Sequence, residues 1–175
     1  MQTRVFTRSL ATALVTGLIL VPALTVVTTA AEASDRERAV DFIGVFHPVP
    51  VAFGVDPVRC PDATHPFLIS FRGQAWTTAG HALFEQSHCE AVDHTSFRRG
   101  EQTITFDNGD QLFGAYSGEL HATPTTATDN KLIIDGFYRN RGGTGAISGA
   151  RGRGISVGVV DTVRGVAEVT VSGTL

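Results

Sequence analysis

The sequence predicts an all-β domain, an eight-stranded antiparallel up-and-down barrel, on three observations. Apolar and polar residues alternate with period two through most of the chain beyond Pro66. Turn residues interrupt these runs at short intervals, Asn108-Gly109 most clearly. After the leader, no segment carries the 3.6-residue apolar period of an amphipathic helix. A two-sheet β-sandwich is the alternative, since it uses the same strands without closing them.

The chain opens with the pattern of an export leader. Arg4 and Arg8 precede an apolar run from Leu10 to Val27, and Ala31-Glu32-Ala33 offers a small-residue cleavage site before Ser34. Residues 1–33 are therefore read as a signal peptide, and the mature protein as secreted, with no stable membrane anchor after cleavage. The competing reading is an uncleaved anchor, disfavoured by Pro22 and by the mixed charges of Asp35, Arg36, Glu37 and Arg38. Cleavage would leave 142 of the 175 residues, enough for one domain with a core. It would also reduce 14 basic and 17 acidic side chains to 12 and 16, a balance that does not attract nucleic acid.

Residues 34–45 read as a flexible arm and 46–175 as the barrel domain. Pro48, Pro50, Pro57, Pro61 and Pro66 exclude a helix over the first part of that domain and leave room for an edge strand around Val49–Val55. Phe67, Ile69, Phe71, Gly73 and Ala75 then alternate with more polar neighbours, and a further strand spans His81 to Cys89 after a turn at Ala79-Gly80. Gln102–Phe106 and Gln111–His121 flank the Asn-Gly turn as a hairpin. On the return strand Leu112, Gly114, Tyr116, Gly118 and Leu120 share one face, a large-small alternation that suits the interior of a small barrel. Leu132–Arg139, Gly154–Val160 and Val166–Leu175 complete the set.

Cys60 and Cys89 are the only cysteines, and in an exported chain an even pair reads as a disulfide. Closing that loop would stabilise the fold by about 3–4 kcal/mol. Trp76, Tyr116 and Tyr138 are the candidate lumenal aromatics. Arg139, Arg141, Arg151 and Arg153 fall in an acid-free stretch and form a candidate anion patch, weighed against a solvated turn with charged flanks. His88, Cys89, Glu90, Asp93 and His94 are the richest cluster of ligating residue types, but the cysteine is claimed by the disulfide, and no metal or cofactor is expected. Glu119 and Asp135 sit within strands and are expected to face water. The glycine-rich Gly142–Gly154 lacks the lysine of a phosphate loop and does not open a helix, so it reads as a bend between strands.

Two of these stretches carry a resemblance. The run Asn108–Gly118 (NGDQLFGAYSG) and the run Gly142–Gly154 (GGTGAISGARGRG) resemble the strand and turn motifs of small secreted bacterial proteins that are similar to the allene oxide cyclase and dirigent barrels of plants. Ala146 and Ile147 depart from the basic residue and phenylalanine usual in that turn. The resemblance implies an eight-stranded antiparallel barrel, a cysteine pair, and oligomers; it supplies no catalytic set that maps onto this chain. The function expected from the sequence is a non-catalytic secreted barrel that holds a small hydrophobic ligand or serves as an extracellular or envelope component. The alternative is a cyclase- or isomerase-like enzyme acting on a hydrophobic substrate in the lumen.

Overall fold

The computed structural model describes residues 40–123 and 130–175. The leader assigned to residues 1–33 and the start of the arm, 34–39, lie outside the described residues. Eight strands follow one another in sequence: β1 Asp41–Val55, β2 Phe67–Thr77, β3 Gly80–Glu90, β4 Ser96–Phe106, β5 Gln111–Ala122, β6 Lys131–Gly143, β7 Arg153–Asp161 and β8 Val166–Thr174. Each pairs antiparallel with its neighbours and β1 pairs with β8, so the sheet closes into a barrel in the order β1 to β8. Closure decides against the sandwich.

The alternation seen in the sequence is the inside-outside alternation of this wall. On β2, Ile69 and Ala75 are buried while Trp76 faces out, and on β6 Tyr138 and Asn140 are buried while Arg139 and Arg141 are exposed. One correction concerns the start of the domain. Residues 41–45, read as part of a flexible arm, belong to β1, because Asp41–Phe46 pair with Thr174–Val169 of β8.

That same strand carries the prolines, and they explain where its second ladder stops. Pairing with β8 ends at Phe46, two residues before Pro48, whereas pairing with β2 continues to Val55 past an irregularity between Pro50 and Ala52. A proline has no N–H to give a neighbouring strand. The upper half of β1 is thus unpaired on its β8 side, and the barrel carries a seam there.

The two ends of the barrel differ. At one end Phe42, Phe84, Ile104, Phe106 and Leu112 pack with Ala75 and Ala82 into a solid floor. The opposite end carries the loop 56–66, which the Cys60–Cys89 disulfide ties to β3. The same loop is tied to β4 by the buried His65, whose ring bonds Thr64 Oγ1 and, at 3.0 Å, Ser96 Oγ.

The hairpin read at Asn108-Gly109 joins β4 to β5, but only Gly109 adopts a positive φ (87°). The loop is a four-residue turn in which Gly109 N–H donates to Phe106 C=O and Phe106 N–H to Asp110 C=O. The glycine-rich stretch is the bend between β6 and β7, with a short 3₁₀ turn at Gly145–Ile147. The two motifs touch. Asp110 accepts from Ala146 N–H at 3.0 Å, and Gln111 N–H donates to Thr144 Oγ1 at 2.8 Å. Gly145 (φ 56°) lies so close to the Asp110 carboxylate that no side chain fits between them.

Candidate functional site in the barrel lumen

Above the floor the lumen is not filled. A cavity of about 310 Å³ runs from Phe46 and Tyr138 up to a rim that includes Phe53, Leu120, Thr162 and Gly165. Most of its wall is aliphatic or aromatic, with Ile69, Leu132, Ile134, Val160, Val169 and Val171 from four strands. Such a space suits an apolar molecule of modest size.

Glycines make this room. A β-carbon on Gly154 would stand 2.6 Å from the Tyr138 ring, and one on Gly173 would stand 2.7 Å from the Tyr138 hydroxyl. Gly154 and Gly173 are direct partners across β7 and β8, so Tyr138 lies against a patch of bare backbone. Phe97 likewise lies over the paired Gly118 and Gly136, and Tyr116 over its own partner Gly100. The large-small alternation read on β5 therefore continues around the wall.

One side of the cavity is polar. Gln86, His88 and Glu90 project inward from β3, with Gln102 from β4 and Tyr116 from β5. His88 Nδ1 lies 3.0 Å from the Tyr116 hydroxyl, and His88 Nε2 lies 3.6 Å from Glu90 Oε2. The other Glu90 oxygen bonds His94 Nδ1 on the loop after β3. The His88 ring is enclosed by Phe71, Tyr116 and Phe97, the last stacked on it at 4.7 Å. His88 Nε2 is buried and has no hydrogen-bond partner among the described residues; Glu90 Oε2 faces it at ion-pair distance only.

Burial pushes the Glu90 carboxyl up, but the contacts with His88 and His94 outweigh it and hold the group below the usual carboxylate range. The site thus keeps an ionised carboxylate in an apolar barrel because two imidazoles face it. Burial drives the Tyr116 phenol far above its ordinary range, with Arg59 opposing only in part. Burial also moves Tyr138 up to about 12, and its hydroxyl finds no hydrogen-bond partner among the described residues.

Of the three candidate lumenal aromatics, Tyr116 and Tyr138 line the cavity and Trp76 does not. Trp76 is 51% exposed on the outer face, its ring between those of His47 and His81. It is one step out of phase with Ile69, Phe71 and Ala75, and the alternation that buries them turns it to solvent. The four arginines are all exposed on the outside. Arg139 and Arg153 are direct partners across β6 and β7, while Arg141 turns toward Glu101 at 3.9 Å. Glu119 and Asp135 face water and sit opposite each other across β5 and β6.

Cys60 and Cys89 are bonded, with Cα atoms 5.6 Å apart. Among the described residues, no group of three or more His, Cys, Asp and Glu side chains is placed to hold a metal ion. The lumenal pairing of His88 with Tyr116 is the element that sequence reasoning missed. Both are inward by parity, but they are 28 residues apart and meet only when β3, β4 and β5 curve round the wall. No known protein family matches the chain, and no characterised protein or solved structure proved similar to it.

Proposed function

We propose that the protein acts outside the cell as a carrier or receptor for a small apolar molecule held in the barrel lumen. The observation that carries this reading is the unfilled upper lumen, a cavity of about 310 Å³ with an aliphatic and aromatic wall above a packed floor. A structural barrel gains by filling such a space, because an empty apolar cavity costs roughly 24 cal/mol per Å³. The disulfide is consistent with an extracellular protein, and the leader-like start supports export. The resemblance carried by the two turn motifs supports the same architecture.

A specific observation keeps an enzymatic reading in second place. His88 and the ionised Glu90 lie in the lumen wall, where a cyclase- or isomerase-like enzyme would carry acid-base groups. In that reading the barrel folds the substrate, and the product has the substrate's own mass.

Native mass spectrometry of protein collected from culture medium tests both readings. The expected result is a chain beginning at Ser34, two hydrogens lighter for the disulfide, with an apolar molecule retained. Val171→Trp, which fills the lumen, should lose that molecule and keep the fold. Retention by the filled variant would overturn the lumenal site. A recovered molecule that changes chromatographic position without changing mass, and only with His88 intact, would put the enzyme ahead.

A further inference from the structure

The polar wall runs from the lumen toward solvent as two hydrogen-bonded pairs, Tyr116 with His88 and Glu90 with His94, that face each other across 3.6 Å. Tyr116 lines the cavity, its hydroxyl meets His88 Nδ1, His88 Nε2 faces Glu90, and Glu90 bonds His94, whose side chain is 55% exposed. The three elements packed round His88 bring few charges. Phe71 of β2 and Phe97 of β4 are uncharged, Tyr116 is the β5 contribution, and Glu90 is on β3 itself. His94 acts on Glu90 from the following loop, and Arg59 acts on Tyr116 from the loop before β2 while paired with Glu101 at 3.2 Å.

The chemistry of an imidazole then fixes what Tyr116 shows the lumen. The Glu90 carboxylate, 3.6 Å away, favours a proton on the His88 nitrogen that faces it, Nε2. In the neutral ring Nδ1 is therefore bare and takes the Tyr116 hydroxyl proton, so Tyr116 offers the lumen only an accepting oxygen. In the imidazolium Nδ1 carries its own proton and donates it to the Tyr116 oxygen. The Tyr116 proton is then released to point elsewhere.

We propose that the lumen takes apolar molecules bearing one neutral oxygen, that Tyr116 is the residue that reads this oxygen, and that His88 switches Tyr116 between accepting and donating. The proposal rests on the lumenal binding reading above and names the ligand class and its control. Ketones need the donating form, alcohols are served by both, and hydrocarbons are indifferent.

The test uses tetralin, 1-tetralone and 1-tetralol, one skeleton with three oxygen states, titrated into the full-length disulfide-bonded protein at about pH 8 and about pH 5, across which histidine changes charge. Tetralone affinity is expected to rise about three- to tenfold on acidification, the size of one neutral hydrogen bond, with tetralin unchanged. Tyr116→Phe should bind tetralin as before and lose the discrimination. His88→Gln should bind all three with affinities that no longer depend on pH. Binding of all three with no discrimination at either pH would overturn the oxygen-reading role and leave the apolar lumen standing. Failure of tetralin itself to bind the intact protein would remove the lumenal site and this proposal with it. Tetralin affinity also reports whether each variant is folded.

Discussion

Tyr116 and Tyr138 are direct partners across β5 and β6, yet their hydroxyls part company round the wall. Tyr116 reaches back to His88 on β3, whereas Tyr138 lies forward over Gly154 and Gly173 of β7 and β8. The chain has only these two tyrosines, and both are lumenal. The inner surface at this level is divided between a wired hydroxyl and one that packs on bare backbone.

Alkaline titration should reveal that division. Both phenols have folded-state values above the ordinary 10.0, so their contribution to stability is complete below pH 10 and fades as pH rises, toward about 12 for Tyr138. Phenolate absorbance is therefore expected to appear together with loss of β-sheet circular dichroism. Two tyrosines ionising near pH 10 in an intact sheet would contradict the burial of both rings.

The glycines beneath the aromatic rings should be intolerant of even one carbon. A β-carbon at Gly173 would stand 2.3 Å from the Arg153 carbonyl oxygen and 2.5 Å from Gly154 Cα. Gly173→Ala is expected to destabilise the fold by about 2 kcal/mol or more, measured by urea unfolding. Gly54→Ala is the control, because a β-carbon there has nothing within 4 Å; its effect should stay within about 0.5 kcal/mol. Equal losses from the two would count against the tight backbone contacts.

Replacing both cysteines with serine should lower stability by about 3 kcal/mol through release of the loop between Cys60 and Cys89. Cys89 stands between His88 and Glu90, so the polar wall should loosen as well. Hydrogen exchange should therefore accelerate at residues 86–90 and stay slow at Ile104 and Leu112 in the floor. Uniform acceleration through both regions would show that the staple serves the whole barrel and not this wall.

Glu90 sets the acid limit of stability at this site. Its folded-state value is depressed, so the stability it contributes is present above its ordinary 4.5 and is lost as pH falls through the lower folded value. Glu90→Gln should be less stable than the parent at neutral pH, and the gap should close as pH falls below about 4.5. A gap that stays constant with pH would mean that Glu90 contributes packing alone.

Much of the fold was legible because β parity is local. Leu112, Gly114 and Tyr116 declare an inner face within five residues, and Tyr138 follows from Leu132 and Ile134 by the same count. The count also contained the evidence against Trp76, which is out of step with Phe71 and Ala75. The full length of β1 was hidden because Pro48 and Pro50 interrupt strand composition, although the backbone stays extended and pairs with β2 through both. The link between His88 and Tyr116 was not legible at all. It depends on curvature that brings β3 and β5 together across β4.

The seam beside β1 has a mechanical consequence. A fully laddered barrel has a fixed girth, since widening it means breaking hydrogen bonds between strands. Here the Pro50 ring faces the turn at Gly165 across the unpaired stretch, with no backbone ladder between the two edges. At this seam, parting the two edges breaks no interstrand hydrogen bond, whereas every other junction around the wall is laddered.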